Sequence, residues 1–187
     1  MMIYRLKKFP IPQQSPIKKD TRFYVSRQAL KECLMEMALE DHFLTWADLE
    51  ITGHHHLKKR ADLLVSLSHT GPYGAAVVAV EKPILSVGID VELLKRSCPT
   101  TTAKFFVNEM DNAINSDLLS LWSAKEAAYK AIDPLLLGEM TLKKIWIRGN
   151  QFGLFPALTL LGEVIRQEHQ LEGETILVTL AKLLRMP

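Results

Sequence analysis

Two acidic side chains stand two residues apart in Val87-Gly88-Ile89-Asp90-Val91-Glu92, set among apolar neighbours. Side chains alternate across a β-strand, so on a strand Asp90 and Glu92 share one face and Ile89 and Val91 the other, toward a core. Two carboxylates that close repel each other and invite a cation. Mg²⁺ is a natural occupant, because it takes one or two carboxylates together with water and substrate phosphate. The same spacing occurs on the wet face of an ordinary strand, so the pair alone leaves both readings open.

A second group lies in Leu121-Trp122-Ser123-Ala124-Lys125-Glu126-Ala127-Ala128-Tyr129-Lys130. On a helix Trp122, Glu126 and Lys130 fall at four-residue steps and form one stripe. Glu126 ahead of Lys130 is also the order that suits a helical ion pair, worth about 0.2–0.5 kcal/mol, so a plain surface role stands beside a chemical one. The third group, Ser66-Leu67-Ser68-His69-Thr70-Gly71, reads as a strand running into a turn. Ser68 and His69 are adjacent and face opposite ways on a strand, which argues against a serine–histidine hydrolase built from these two. His69 is either a hydrogen-bonded strand-end histidine or a donor to an anion, with turn N–H groups assisting.

Other candidates are weaker. The consecutive His54-His55-His56 diverge and lack the spacing of a tetrahedral site, so a solvated loop is expected there. Arg22, Arg27 and Lys31 form either a solvated basic face or a set of phosphate ligands. Cys33 and Cys98 are far apart and outside any CxxC pair, which makes a reduced, cytoplasmic protein the expectation. A net charge of +2 is too mild to argue for nucleic acid. No apolar run approaches the ~20 residues a bilayer demands, and the start is too short and polar for a secretory signal.

These groups need elements to hold them. The 187 residues, 48% of them hydrophobic, suffice for one good core or two small ones sharing an interface. A short strand and a proline-bearing arm open the chain. Phe23, Ala29, Leu30, Cys33, Leu34, Met37 and Ala38 then recur at mostly helical steps, with Asp20 or Thr21 as N-cap. Trp46, Leu49 and Ile51 predict a short return strand, and Thr52 to Arg60 a loop. Leu63–Ser68, Gly74–Val80 and Ile84–Leu93 predict an antiparallel meander, parted by Gly71-Pro72 and Lys82-Pro83. After Pro99 a helical region runs through Phe105 and Phe106. A stronger helix spans about Asp117 to Ala131, stopped by Pro134. Leu142–Arg148, Phe152–Leu160 and Thr175–Ala181 predict further strands, the middle one an edge or broken strand because of Pro156, and Gly162 to Gly173 a polar connection. The order helix–strands, helix–strands points to two similar α+β halves, 1–86 and 87–187.

Together the three groups resemble the 4'-phosphopantetheinyl transferases, specifically the monomeric type. That family carries a serine-histidine segment, then G-[IV]-D-[IV]-E, then W-x-x-K-E-[AS]-x-x-K. Here they read Leu67-Ser68-His69-Thr70, Gly88-Ile89-Asp90-Val91-Glu92 and Trp122 to Lys130, in that order. Phe105-Phe106 followed by Glu109, and Arg22 to Arg27 with Lys31, are similar to further family segments. The resemblance covers about Asp20 to Lys130. The family's Gly-Lys-Pro ahead of the Ser-His segment is replaced by His54 to Arg60, and its Gly-rich segment after the last lysine by Ala131-Ile132-Asp133-Pro134.

The resemblance implies a pseudo-twofold pair of α+β halves with coenzyme A in the cleft between them, acting as a monomer; charge and hydropathy add the expectation of no nucleic-acid or membrane partner. It implies transfer of phosphopantetheine to a serine of an apo acyl or peptidyl carrier protein. Asp90, Glu92 and Glu126 would ligate Mg²⁺, or Mn²⁺, which oxygen sites also accept. Ser68, His69 and Lys130 would contact the coenzyme A phosphates, with Arg22 and Arg27 candidates for its 3'-phosphate. Glu126, Lys130 and Asp90 would carry the chemistry, Glu126 taking the serine proton.

Overall fold

The computed structural model describes residues 2–8, 19–36, 50–52, 56–57, 60–80, 84–111, 117–136, 140–155 and 159–184, with 19–25, 36, 52, 61, 133–136 and 159–160 described by backbone alone. The described residues form an α+β fold with two five-stranded antiparallel sheets. The first comprises β1 (Met2–Lys8), β2 (Ile51–Thr52), β3 (His56–Leu57), β4 (Arg60–Thr70) and β5 (Tyr73–Val80), with helix α1 (Lys19–Glu36) between β1 and β2. The second comprises β6 (Ile84–Leu93), β7 (Ile145–Arg148), β8 (Gln151–Leu154), β9 (Thr159–Leu171) and β10 (Glu174–Leu184). Between β6 and β7 run the single-turn α2 (Ala103–Phe106) and the long α3 (Leu118–Leu136).

The strand orders are β1-β5-β4-β3-β2 and β6-β10-β9-β8-β7. Each sheet therefore places its first strand at one edge, pairs it with its last, and inserts a helix after it. The two halves have the same topology. The change of sheet falls between Val80 and Ile84, a few residues ahead of the 86/87 boundary read from the sequence.

Alternation along the strands sorts side chains into layers. Ala76 and Val78 of β5 pack with Leu63 and Val65 of β4 against Ala29, Leu30, Cys33 and Leu34 of α1. Their neighbours Ala75, Val77 and Ala79 point the other way, onto Val87, Ile89 and Val91 of β6 and Ile176, Val178 and Leu180 of β10. On the far side of the second sheet Ala124, Ala127, Ala128 and Ala131 of α3 meet Ile147, Phe152, Val164, Ala181 and Leu183. The order is helix, sheet, sheet, helix. Each buried Leu, Ile or Val contributes about 1.5–3 kcal/mol, and the middle layer spends that on joining the halves. Across the same seam the Tyr4 hydroxyl of β1 donates to Gln167 Oε1 and lies 3.0 Å from His169 Nε2, both on β9.

Several elements depart from the sequence-based expectation. β6 does not continue a meander with β4 and β5. It pairs with β10, while β1 takes the β5 edge. Burial of Ile89 and Val91 on one face and of Asp90 and Glu92 on the other fits a strand covered on both sides. The polar run Gly162 to Gly173 is mostly strand β9, because a ladder to β10 reaching Leu171 outweighs its composition. α3 continues to Leu136, past Pro134. Pro134 stands in the last turn, so the hydrogen bond it removes and the carbonyl it crowds lie at the helix end, and α3 runs only two residues beyond it. α1 starts at Lys19, so Asp20 and Thr21 lie inside it. The expected loop from Thr52 to Arg60 contains the short strand β3, and Leu142–Lys144 is a 3-10 turn before β7. Trp46, Leu49, His54 and His55 lie outside the described residues; Cys33 and Cys98 are free thiols. Among the described residues no helix is long and apolar enough to cross a membrane.

Candidate functional site at the seam between the sheets

Gly88 brings the two acidic elements together. A Cβ built on it would stand 1.9 Å from the carbonyl oxygen of Ala127, so only glycine lets α3 lie this close to β6. Asp90 and Glu92 follow on the same face as Gly88 and therefore look toward α3, whose Trp122, Glu126 and Lys130 stripe runs along the facing side.

β6 is an edge strand, and its open backbone groups are met by side chains. The Ile89 N–H donates to Ser66 Oγ of β4 at 3.2 Å, and the Ile89 carbonyl accepts from Lys130 Nζ at 2.9 Å. Lys130 Nζ also donates to Asp90 Oδ1 at 3.0 Å and to Ser68 Oγ at 3.1 Å. The Ser68 hydroxyl in turn donates to Asp90 Oδ1 at 3.1 Å. The first sheet, β6 and α3 thus share one triangle of Ser68, Asp90 and Lys130. Lys130 turns to Asp90 at 3.0 Å, so the helical ion pair with Glu126 expected as the plain reading is not the contact it makes.

Ser68 points inward and is buried, whereas His69 is exposed, the opposed directions expected of neighbours on a strand. Ser26, Leu67, Ser68, His69 and Lys130 line a cleft of about 220 Å³ opening on this triangle. Of the basic residues of α1, Arg27 is half-buried and does not line that cleft, and the Arg22 side chain lies outside the described residues.

Electrostatics sets the carboxylates apart from ordinary surface acids. Glu126 is pushed above the usual carboxylate range chiefly by burial; Lys130 draws it down, and Asp90 and Glu92 push it up. Glu92 is also raised, first by burial and then by Asp90, with hydrogen bonds from Arg96 and Trp122 pulling it back. Arg96 Nη1 donates to both oxygens of Glu92, at 3.0 and 2.8 Å. Among the described residues Asp90 Oδ2 is buried with no hydrogen-bond partner.

That orphaned oxygen tests whether the residues suit a divalent cation. A buried carboxylate oxygen without a donor is costly unless something positive meets it. With Glu92 and Glu126 facing the same space, the donors are hard oxygens of the kind Mg²⁺ and Mn²⁺ take, and they fit. Among the described residues no three such groups already converge as a finished cage, since Lys130 and Arg96 hold Asp90 and Glu92.

A pH dependence follows. A carboxyl group raised in the folded protein stays protonated longer there than in the unfolded chain. Its contribution is intact below the ordinary carboxylate pKa and is lost as pH rises through the raised value. In metal-free buffer Glu126→Gln is therefore expected to raise the unfolding midpoint at pH 8 and to change it little at pH 4, as measured by thermal melts at both values.

Two parts of the neighbourhood escape the motif reading. Lys125, next to Glu126, is fully buried: its Nζ donates at 2.6 Å to the carbonyls of Phe106 and Ile145 and pairs with Asp111 Oδ2 at 2.6 Å. Burial lowers its pKa, and Asp111 counters this. Asp111 also accepts from the N–H groups of Asn108 and Ile147, at 2.8 and 2.9 Å. This network ties α3 to α2 and β7. The signal was present in the sequence, since Lys125 shares a helix face with Leu121, Ala128 and Ile132. Arg96 was the other omission, legible only as the basic residue four places after Glu92.

No family model matches this chain. No curated protein matches its sequence significantly either.

Proposed function

We propose that this chain is a 4'-phosphopantetheinyl transferase that moves the phosphopantetheine arm of coenzyme A to a serine of an apo acyl or peptidyl carrier protein. The observation that carries the reading is the seam triangle. Ser68 of the first half meets Asp90 and Lys130 of the second, beside Glu126 and Glu92, in the order and types of the family motifs. Two halves of equal topology support the pseudo-twofold arrangement that the resemblance implies.

In this reading the carrier serine oxygen forms a bond to the phosphorus that bears the pantetheine arm. The bond from that phosphorus to the bridging oxygen breaks, and 3',5'-ADP departs. Asp90, Glu92 and Glu126 would hold Mg²⁺ or Mn²⁺, which when bound supplies charge neutralisation at the diphosphate. Lys130, fixed at the cleft wall, adds a positive charge where negative charge develops on the phosphoryl oxygens. His69 at the rim is an exposed donor for a phosphate. Glu126 takes the serine proton. The working form is a monomer in the cytoplasm.

The test is product release. With coenzyme A and Mg²⁺, 3',5'-ADP should appear in step with the apo carrier protein supplied. Release of phosphate from simple esters without any carrier protein would instead identify a metal-dependent phosphohydrolase.

A further inference from the structure

Glu92 and Arg96 form a lopsided pair: the glutamate side chain is 6% exposed and the arginine side chain 59%. The carboxylate belongs to the wall of the site, while the guanidinium hangs over it from the turn after β6. Only Nη1 serves Glu92, and among the described residues Nε and Nη2 have no partner. Lys130 differs. It is 27% exposed and bonded three ways, to Ser68, Ile89 and Asp90. Of the two cations holding the acidic pair, Arg96 is the one placed to leave.

We propose that Arg96 is a placeholder cation, which holds Glu92 while no divalent cation is present and turns onto the diphosphate of coenzyme A when one arrives. The proposal rests on the metal site of the transferase reading. Two like charges near the core need a counter-charge at every stage, and the chain supplies one until the metal does. A cation drawing Glu92 toward Asp90 and Glu126 must take the carboxylate from Arg96. The released guanidinium then has its planar set of N–H donors free beside the acidic pair, a geometry that matches phosphate oxygens.

The experiment measures two affinities on the full chain: Mn²⁺ alone, by its paramagnetic resonance signal, and coenzyme A in saturating Mn²⁺, by calorimetry. Arg96→Gln is expected to bind Mn²⁺ about three- to tenfold more tightly than the wild type, because a competitor has gone, and coenzyme A more weakly by a similar factor. Arg96→Lys should lie between in both. These opposite signs separate a placeholder from a structural residue, whose loss would weaken both. Unchanged or weaker Mn²⁺ binding in Arg96→Gln overturns the placeholder, and if Mn²⁺ binding is still lost in Asp90→Asn the metal site stands without it. If neither the wild type nor the variants bind Mn²⁺, the metal site falls and the placeholder with it.

Discussion

Gly88→Ala is expected to lower turnover by roughly 100-fold while leaving a folded protein, because it separates the two elements that make the site. The added Cβ would stand 1.9 Å from the Ala127 carbonyl oxygen and 2.9 Å from the Ala131 nitrogen. Both are backbone atoms, so no side chain can swing aside. α3 must withdraw by roughly 1.5 Å to regain van der Waals contact, and overpacking of this kind costs about 1–3 kcal/mol. Glu126 and Lys130 ride on that helix; Asp90 and Glu92 stay on β6. The hydrogen bonds of Lys130 to Asp90 and Ile89 have little slack at 3.0 and 2.9 Å. Far-ultraviolet circular dichroism and kcat/KM measured together decide the matter. Native-like dichroism with near-normal turnover would mean that the close approach does not set the site's geometry.

Asp111→Ala is expected to have the largest effect on stability, about 3–5 kcal/mol, the scale of removing one partner from a buried ion pair. Lys125 would keep the carbonyls of Phe106 and Ile145 but lose the only carboxylate it pairs with among the described residues. The N–H groups of Asn108 and Ile147 would lose their acceptor as well. For a chain of this size the unfolding temperature should fall by roughly 6–20 °C. Lys125→Met in the Asp111→Ala background should recover much of the loss, since apolar replacement of a whole buried pair is often neutral. If the single variant melts within a degree or two of the wild type, Lys125 is not held as described.

The site was more legible in the sequence than the scaffold. Asp90 and Glu92 share a face because strand alternation leaves no other choice, and Glu126 with Lys130 follows from helical spacing. Those are local rules, and their outcome needs no knowledge of partners. The sheet to which β6 belongs is a non-local matter. Nothing in Ile84 to Leu93 distinguishes the β5 edge from the β10 edge, and that choice depends on β1 having taken the first. β9 was misread for a similar reason: Glu163, Gln167 and Glu168 face water on a strand held by its neighbour's backbone, so composition pointed to a loop. Gly88 stood in the motif from the start, but its reason was invisible until the Ala127 carbonyl lay against it. The Lys130–Asp90 contact could not be read from helical spacing, which offers only Glu126 on the same helix, because Asp90 comes from a separate strand.

In the proposed function one seam site, built on Asp90, Glu92, Glu126 and Lys130, transfers phosphopantetheine to a carrier protein. The most direct measurement is the intact mass of apo carrier proteins of the fatty-acid, polyketide and peptide types after incubation with this chain, coenzyme A and Mg²⁺. A phosphopantetheine adduct on a single serine is expected, abolished by a chelator and by Asp90→Ala. No adduct on any of them, or an adduct that persists in Asp90→Ala, would contradict the account.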